Sequence, residues 1–268
     1  MLMSIVISGA SSGIGRALAL QYAKPGVTLG LLARNGGTLS QIAKEVEAKG
    51  GAARIGVVDV RDRVAMREFL LDFDARTPVD TLIASAGTTL VSPAPGEVED
   101  LDAAANLFEV NLIGTMNLLA PIAPRMRVRK SGRIALLSSL AAFAPPPDSA
   151  SYAASKAAIL AFGLATRAIY KPDGVTVSVI CPGFVDTPMT GSYSSWKPLM
   201  MSPEDAARRI RRGLDRRKAI VAFPSRLYWA ARLQAFLPER ARAATLMRFR
   251  AFALGGIKGE IGQDTRPG

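Results

Sequence analysis

Seven short apolar runs punctuate the chain, at residues 3–8, 27–32, 52–58, 79–84, 132–138, 174–180 and 219–222. Between them lie longer stretches, 13–24, 38–49, 62–76, 101–128, 150–170 and 203–213, in which apolar residues recur every three or four positions. The first kind of run reads as strand and the second as helix. Their alternation predicts an α/β fold, a Rossmann-type doubly wound parallel sheet of about seven strands with helices on both faces. Such sheets bind ligands beyond the carboxyl ends of their strands, so the residues just past each apolar run are the places to look for chemistry.

Met3–Ser8 feeds directly into Gly9-Ala10-Ser11-Ser12-Gly13-Ile14-Gly15, after which Ala17–Ala23 reads as helix. A strand passing through a glycine-rich turn into a helix leaves unpaired backbone N–H groups and a partial positive charge facing the loop, which suits a pyrophosphate. The glycines permit a tight turn and close approach of the ligand. A second constellation is Tyr152 and Lys156 in Ser151-Tyr152-Ala153-Ala154-Ser155-Lys156. Positions i and i+4 share one helix face, so the ammonium can sit beneath the phenol. A fixed cation there favours phenolate by roughly 3 to 4 kcal/mol, which would let the hydroxyl exchange protons near neutral pH. Ser139 lies thirteen positions upstream of Tyr152, at the end of an apolar run.

Together these residues resemble the short-chain dehydrogenase/reductase family, from about Met3 to Phe223, with several motifs in the family's order. The glycine motif matches at Gly9, Gly13 and Gly15. Asp59-Val60 ends the third run, where the family contacts adenine, and Asn111 matches an asparagine in the fourth helix. Ser139, Tyr152 and Lys156 follow, then Pro182-Gly183 after the sixth strand, with Val185 and Thr187. One departure stands out. The family's Asn-Asn-Ala-Gly after the fourth strand is Ala84-Ser85-Ala86-Gly87 here, which keeps the close backbone approach and loses the asparagine side-chain bonds.

The resemblance implies a nicotinamide cofactor held by Gly9, Ser11, Ser12, Gly13, Ile14, Gly15, Arg34, Asn35, Asp59, Val60, Ala86, Gly87, Tyr152, Lys156, Pro182, Gly183, Val185 and Thr187. At the end of the second strand, Ala33 replaces the acidic residue that would accept bonds from an adenosine ribose, and Arg34 offers a guanidinium to a 2′-phosphate. The expectation is therefore NADP(H) rather than NAD(H). The resemblance further implies that Ser139 bonds the substrate oxygen, Tyr152 carries the proton, Lys156 lowers the phenol's pKa and holds the nicotinamide ribose, and Asn111 holds a water linking Lys156 to solvent. The reaction would be hydride transfer between nicotinamide and a carbonyl or alcohol substrate. The alternative is a catalytically silent NADP-binding sensor or scaffold.

Residues 184–202 correspond to the family's variable flap over the substrate. Met189, Tyr193 and Trp196 in that flap, with Phe143 on the opposite wall, suggest an apolar or lipid-like carbonyl compound. A sugar or polysaccharide precursor is the alternative substrate class. The family usually forms homodimers or homotetramers, pairing the helices that here carry Asn111 and Tyr152.

At 268 residues and 49% hydrophobic, the chain can bury a large core. It contains no histidine, which removes Ser-His-Asp and Cys-His mechanisms and the usual zinc sites, so no metal is expected. Its single cysteine, Cys181, cannot close an internal disulfide and suits a reducing, cytoplasmic setting. No secretory signal and no uncharged apolar span of membrane length is evident. Charge is unevenly placed. Residues 208–250 hold 13 Lys or Arg against Asp215 and Glu239, nearly all of the net +12. The chain therefore divides into a catalytic domain, 1–224, and a basic, mostly helical extension, 225–268, which Pro238 splits in two. The extension mixes its cations with Leu227, Tyr228, Trp229, Leu233, Phe236, Leu237, Leu246, Met247, Phe249, Phe252 and Leu254, a composition that suits an anionic membrane surface on the inner face of a bilayer, and equally a solvated or oligomer-facing tail whose apolar residues cover the subunit's own core. No nucleic-acid motif accompanies the patch.

Overall fold

The structure is a computed structural model that describes residues 3–93, 97, 99–247 and 251–253. Seven strands form one parallel sheet in the order β3-β2-β1-β4-β5-β6-β8: β1 (Met3–Ser8), β2 (Val27–Ala33), β3 (Ala52–Val57), β4 (Thr81–Ala84), β5 (Gly132–Leu137), β6 (Val175–Pro182) and β8 (Ile220–Phe223). The order reverses between β1 and β4, which opens a crevice at their carboxyl ends.

Successive side chains of a strand point to opposite faces, and both faces of this sheet are covered. Ile5 and Ile7 of β1 pack in one core with Leu18 of α1 (Gly13–Tyr22), Leu39 of α2 (Gly36–Ala48) and Ile210 of α8 (Pro203–Asp215). Val6 between them enters the other core, with Phe73 of α3 (Arg63–Arg76), Ile122 of α5 (Gly114–Val128) and Ile159 of α6 (Ala150–Tyr170). The helix caps follow local chemistry: Asp62 accepts from the N–H groups of Val64 and Ala65, and Asp100 from that of Ala103.

The stretch predicted as one helix over 101–128 is three pieces. α4 (Leu101–Phe108) passes through a π turn, Glu109–Ile113, into α5. By length and composition Leu101–Val128 could cross a membrane, but 56% of its apolar window is buried inside the protein. Leu118, Leu119, Ile122 and Met126 belong to the sheet's core, which accounts for the run's hydrophobicity.

After β6 come α7 (Pro188–Gly191) and β7 (Tyr193–Ser195), which pairs antiparallel with β9 (Ala251–Ala253). Past β8 the chain forms α9 (Ser225–Leu233) and α10 (Glu239–Leu246), with Pro238 between them. α9 lies against the turn that follows Ser139. The Tyr228 and Phe143 rings meet edge to face at 5.5 Å, Arg232 stacks over Phe143 at 5.5 Å, and Gln234 Nε2 donates to the Phe143 carbonyl at 3.1 Å. Arg248, Phe249, Arg250, Leu254 and the side chain of Phe252 lie outside the described residues.

Candidate active site

A cleft of about 730 Å³ runs along the carboxyl edge of the sheet. Its floor is made of backbone. Gly9 has φ +67°, and a Cβ on it would lie 2.7 Å from the Ala86 backbone; a Cβ on Gly15 would lie 2.1 Å from the Gly9 carbonyl oxygen. Only glycine fits these two positions, and the space over the α1 N-terminus stays open for a phosphate-bearing ligand.

The loop after β4 is held from the end of β1. Buried Ser8, at the end of β1, accepts from the N–H groups of Ser85 and Ala86 at 3.2 and 3.3 Å. Ser8 was not singled out in the sequence. Its position opposite Ala84 in the β1–β4 register is the signal that could have pointed to it. Further along that loop, the buried side chain of Asn111 accepts from Thr88 N–H at 2.7 Å and donates to Thr88 O and to Ser155 Oγ, both at 3.0 Å. The π turn adds a residue to the helix at this point and presents Asn111 to both neighbours. Its backbone carbonyl accepts from Thr115 Oγ1 at 2.7 Å.

Ser139 leaves β5 as the cap of a short 3₁₀ turn, Leu140–Ala142, its Oγ accepting from Ala141 N–H at 3.1 Å. Its neighbour Ser138 turns the other way and donates to the Lys156 carbonyl at 2.7 Å, fixing α6 to β5. Tyr152 and Lys156 lie one turn apart on α6. Lys156 Nζ sits 5.5 Å from the centroid of the Tyr152 ring and donates to the Leu137 carbonyl at 3.0 Å. The ammonium makes no ion pair among the described residues. Burial pushes its pKa from 10.5 down to about 8, and the nearby Cys181 pulls in the opposite direction. Burial likewise pushes the Cys181 thiol up to about 12, so it stays protonated.

At the far end of the cleft, Arg34 and Asn35 follow β2. Asn35 caps α2, accepting from Thr38 N–H at 2.9 Å, while Arg34 is exposed and makes no ion pair among the described residues. Asp59 is clamped by Arg61 at 2.7 Å, and that hydrogen-bonded guanidinium holds its carboxyl below the usual range. Thr187 caps α7, and its methyl group would lie 3.0 Å from a Cβ on Gly13, so the flap closes on the glycine turn.

Every residue expected to touch a cofactor lines this one cleft, and so do Ser139, Tyr152 and Lys156. Asn111 stands behind the wall through Thr88. The cleft also includes Ser85, Thr88, Asn106, Leu137, Pro188 and Thr190, which the sequence did not mark. Of the expected substrate residues, Met189 lines the cleft; Phe143 is engaged by α9, and Trp196 is 57% exposed. Tyr193 contributes its backbone to β7, and its side chain lies outside the described residues.

Residues 3–198 match the family described as short chain dehydrogenase. The chain belongs to that family. As a short chain dehydrogenase it is an NAD(P)-dependent oxidoreductase. An uncharacterized oxidoreductase of Myxococcus xanthus is 32% identical over 249 residues, covering 91% of this chain and 96% of its own. A short chain dehydrogenase of Pseudocercospora fijiensis is 34% identical over 183 residues; the match takes in 68% of this chain and 59% of that longer protein. Among solved structures, a short-chain dehydrogenase from Sphingobium yanoikuyae in complex with NADPH superposes with a TM-score of 0.76 at 25% identity, over 93% of this chain and 97% of that one. The cleft of this dehydrogenase fits a nicotinamide cofactor: its glycine floor leaves no room for side chains, and Ala86 and Gly87 keep the centre equally clear.

Proposed function

We propose that this short chain dehydrogenase interconverts a carbonyl compound and its alcohol with NADP(H), and that Tyr152 is the group that exchanges the proton with the substrate oxygen. The observation that carries this reading is the meeting of Ser139, Tyr152 and Lys156 in the cleft that also holds the glycine turn. When bound, the nicotinamide supplies or accepts the hydride.

The chain's own residues would do the rest. Ser139 Oγ accepts from Ala141 N–H, which leaves its O–H free to donate to the oxygen on which charge develops. The Lys156 ammonium over the Tyr152 ring, tethered by Leu137 O, favours the phenolate and so eases proton release. Arg34, exposed at the cleft's rim, offers two donors to a ribose 2′-phosphate, and Ala33 offers no carboxylate to oppose it. Met189 in the cleft and Leu199 and Met200 on the flap favour an apolar carbonyl substrate.

Stopped-flow or steady-state NADPH oxidation across a panel of apolar ketones and aldehydes tests the reading. We expect turnover by the parent chain and a fall of at least a thousandfold in Tyr152→Phe with NADPH binding retained. A chain that binds NADPH tightly and reduces no member of the panel would overturn it in favour of a silent sensor.

A further inference from the structure

A second cleft opens on the other side of the sheet edge, and nothing in the reduction chemistry uses it. Its volume is about 390 Å³, and it lies between the last turns of α8, the edge strand β8 and the start of α9. Arg209, Arg212, Arg216 and Lys218 line it, with Tyr228 and Trp229. The other basic residues of α8 are engaged elsewhere. Arg208 pairs with Asp205, while Arg211 stacks over Tyr22 at 5.3 Å and donates to the Gln21 carbonyl at 3.0 Å. Arg209 and Arg212 follow i, i+3 spacing on one face of α8, Arg216 caps its C-terminal end, and none of the three forms an ion pair among the described residues.

Beside these cations stands an apolar ridge. Trp229, Leu233 and Phe236, again at i, i+4, i+7, are 59%, 61% and 86% exposed. Leu237 and Met247 are exposed as well, and α10 between them buries none of its side chains. Exposed apolar side chains at helical spacing beside a basic cleft mark an interaction face.

We infer that this face, formed by α8, β8 and α9–α10, docks on an anionic lipid bilayer. Charge selects the partner class. The cations need a negative surface, while the ridge needs an apolar layer within reach, and an anionic membrane presents both. Nucleic acid would satisfy the arginines but not the ridge. A second copy would bring the patch against itself across a two-fold axis and set its four basic residues against four more. α9 also ties this face to the active cleft. Its Leu227 would lie 3.5 Å from a Cβ on Gly183, which lines that cleft, and its Tyr228 meets Phe143 just past Ser139. The outer side of α9 carries the ridge and its inner side packs against Gly183 and Phe143, which flank the catalytic residues, so docking would bring the cleft close to the bilayer.

The inference is independent of the reaction proposed above, and its test does not rely on turnover. Full-length protein is floated with phosphatidylcholine vesicles, with and without phosphatidylglycerol, at physiological salt. Retention on the anionic vesicles alone is the expected result. The triple variant R209Q/R212Q/R216Q should bind roughly a hundredfold more weakly, about fivefold for each cation near the surface. Trp229→Ser combined with Phe236→Ser should lose roughly tenfold or more by removing the inserted apolar area. NADPH titration of each variant, expected unchanged, verifies that the fold is intact. Failure of the full-length chain to float with anionic vesicles, equal binding to neutral ones, or undiminished binding by the triple variant overturns the inference. So does binding to duplex DNA at the same salt in the absence of vesicle binding.

Discussion

The side-chain amide of Asn111 joins Thr88 to Ser155, donating to the Ser155 hydroxyl at 3.0 Å one residue before Lys156. It also accepts from Thr88 N–H, so a single buried residue in the π turn fixes both the loop after β4 and the helix that carries Tyr152 and Lys156. Asn111→Ala leaves the Thr88 N–H and C=O without this partner. Thr88 is half-buried, so each orphaned group falls at the low end of about 1 to 3 kcal/mol and the variant should lose about 1 to 3 kcal/mol of stability. The same variant should lower kcat/KM through disorder at Lys156. Denaturant midpoints and steady-state kinetics on one preparation check both effects, and a variant with parental stability would refute the bridging role.

The parallel sheet and its glycine turn were legible in the sequence because both depend on local signals. Apolar runs of strand length, helix periodicity and a turn rich in glycine need no knowledge of distant residues. The observed β1 and α6 have the bounds the pattern gives, Met3–Ser8 and Ala150–Tyr170. What stayed hidden depends on contacts between remote segments. Ser8 is an ordinary strand-end serine until β4 is laid beside it. Phe143 reads as a candidate cleft wall, yet Tyr228, Arg232 and Gln234, some ninety residues later, engage its ring and carbonyl. The π turn at Glu109–Ile113 is a single added residue that leaves helical periodicity almost unchanged on either side. The pairing of β7 with β9 likewise joins segments that share no sequence signal.

In the proposed preference for NADP(H), Arg34 is the residue that makes the choice. Charge-assisted guanidinium–phosphate bonds contribute about 1.5 to 3 kcal/mol, so Arg34→Ala should weaken NADPH binding by roughly ten- to a hundredfold. NADH, which lacks the 2′-phosphate, should be nearly unaffected. Parallel fluorescence titrations with the two reduced cofactors measure the difference, and equal losses would defeat the NADP assignment.

Two glycines offer an internal control on the cofactor floor. A Cβ at Gly15 would overlap the Gly9 carbonyl oxygen at 2.1 Å, which only a backbone shift can relieve. Gly15→Ala should therefore abolish cofactor binding and cost several kcal/mol of stability, by roughly the scale of severe core overpacking. At Gly191, the end of α7, no atom of the described residues beyond its chain neighbours lies within 4 Å of a would-be Cβ. Gly191→Ala should leave stability within about 1 kcal/mol of the parent. Thermal melts of both variants with and without NADPH decide the matter; comparable behaviour of the pair would contradict the steric argument.

Lys156 should make stability and activity respond to pH in opposite directions. Burial lowers its pKa in the folded chain from 10.5 to about 8. Below about pH 8 the amine is protonated in both folded and unfolded chains, and the folded state bears the full cost of burying that charge. Between about 8 and 10.5 the folded chain holds the neutral amine while the unfolded chain binds a proton. Unfolding then takes up a proton, so this residue's contribution raises stability as pH increases, by about 3 kcal/mol at most across the window. Activity should move the other way. Loss of the ammonium removes the cation that favours the Tyr152 phenolate, so kcat/KM for carbonyl reduction should fall as pH rises through about 8. Lys156→Met should flatten the stability slope, and Lys156→Arg, charged throughout, should move the activity limb to higher pH. Chemical denaturation from pH 7 to 10 and pH-rate profiles over the same range provide the readouts. Stability and kcat/KM declining together through pH 8, with the Lys156→Met slope unchanged, would assign the titration to some other group.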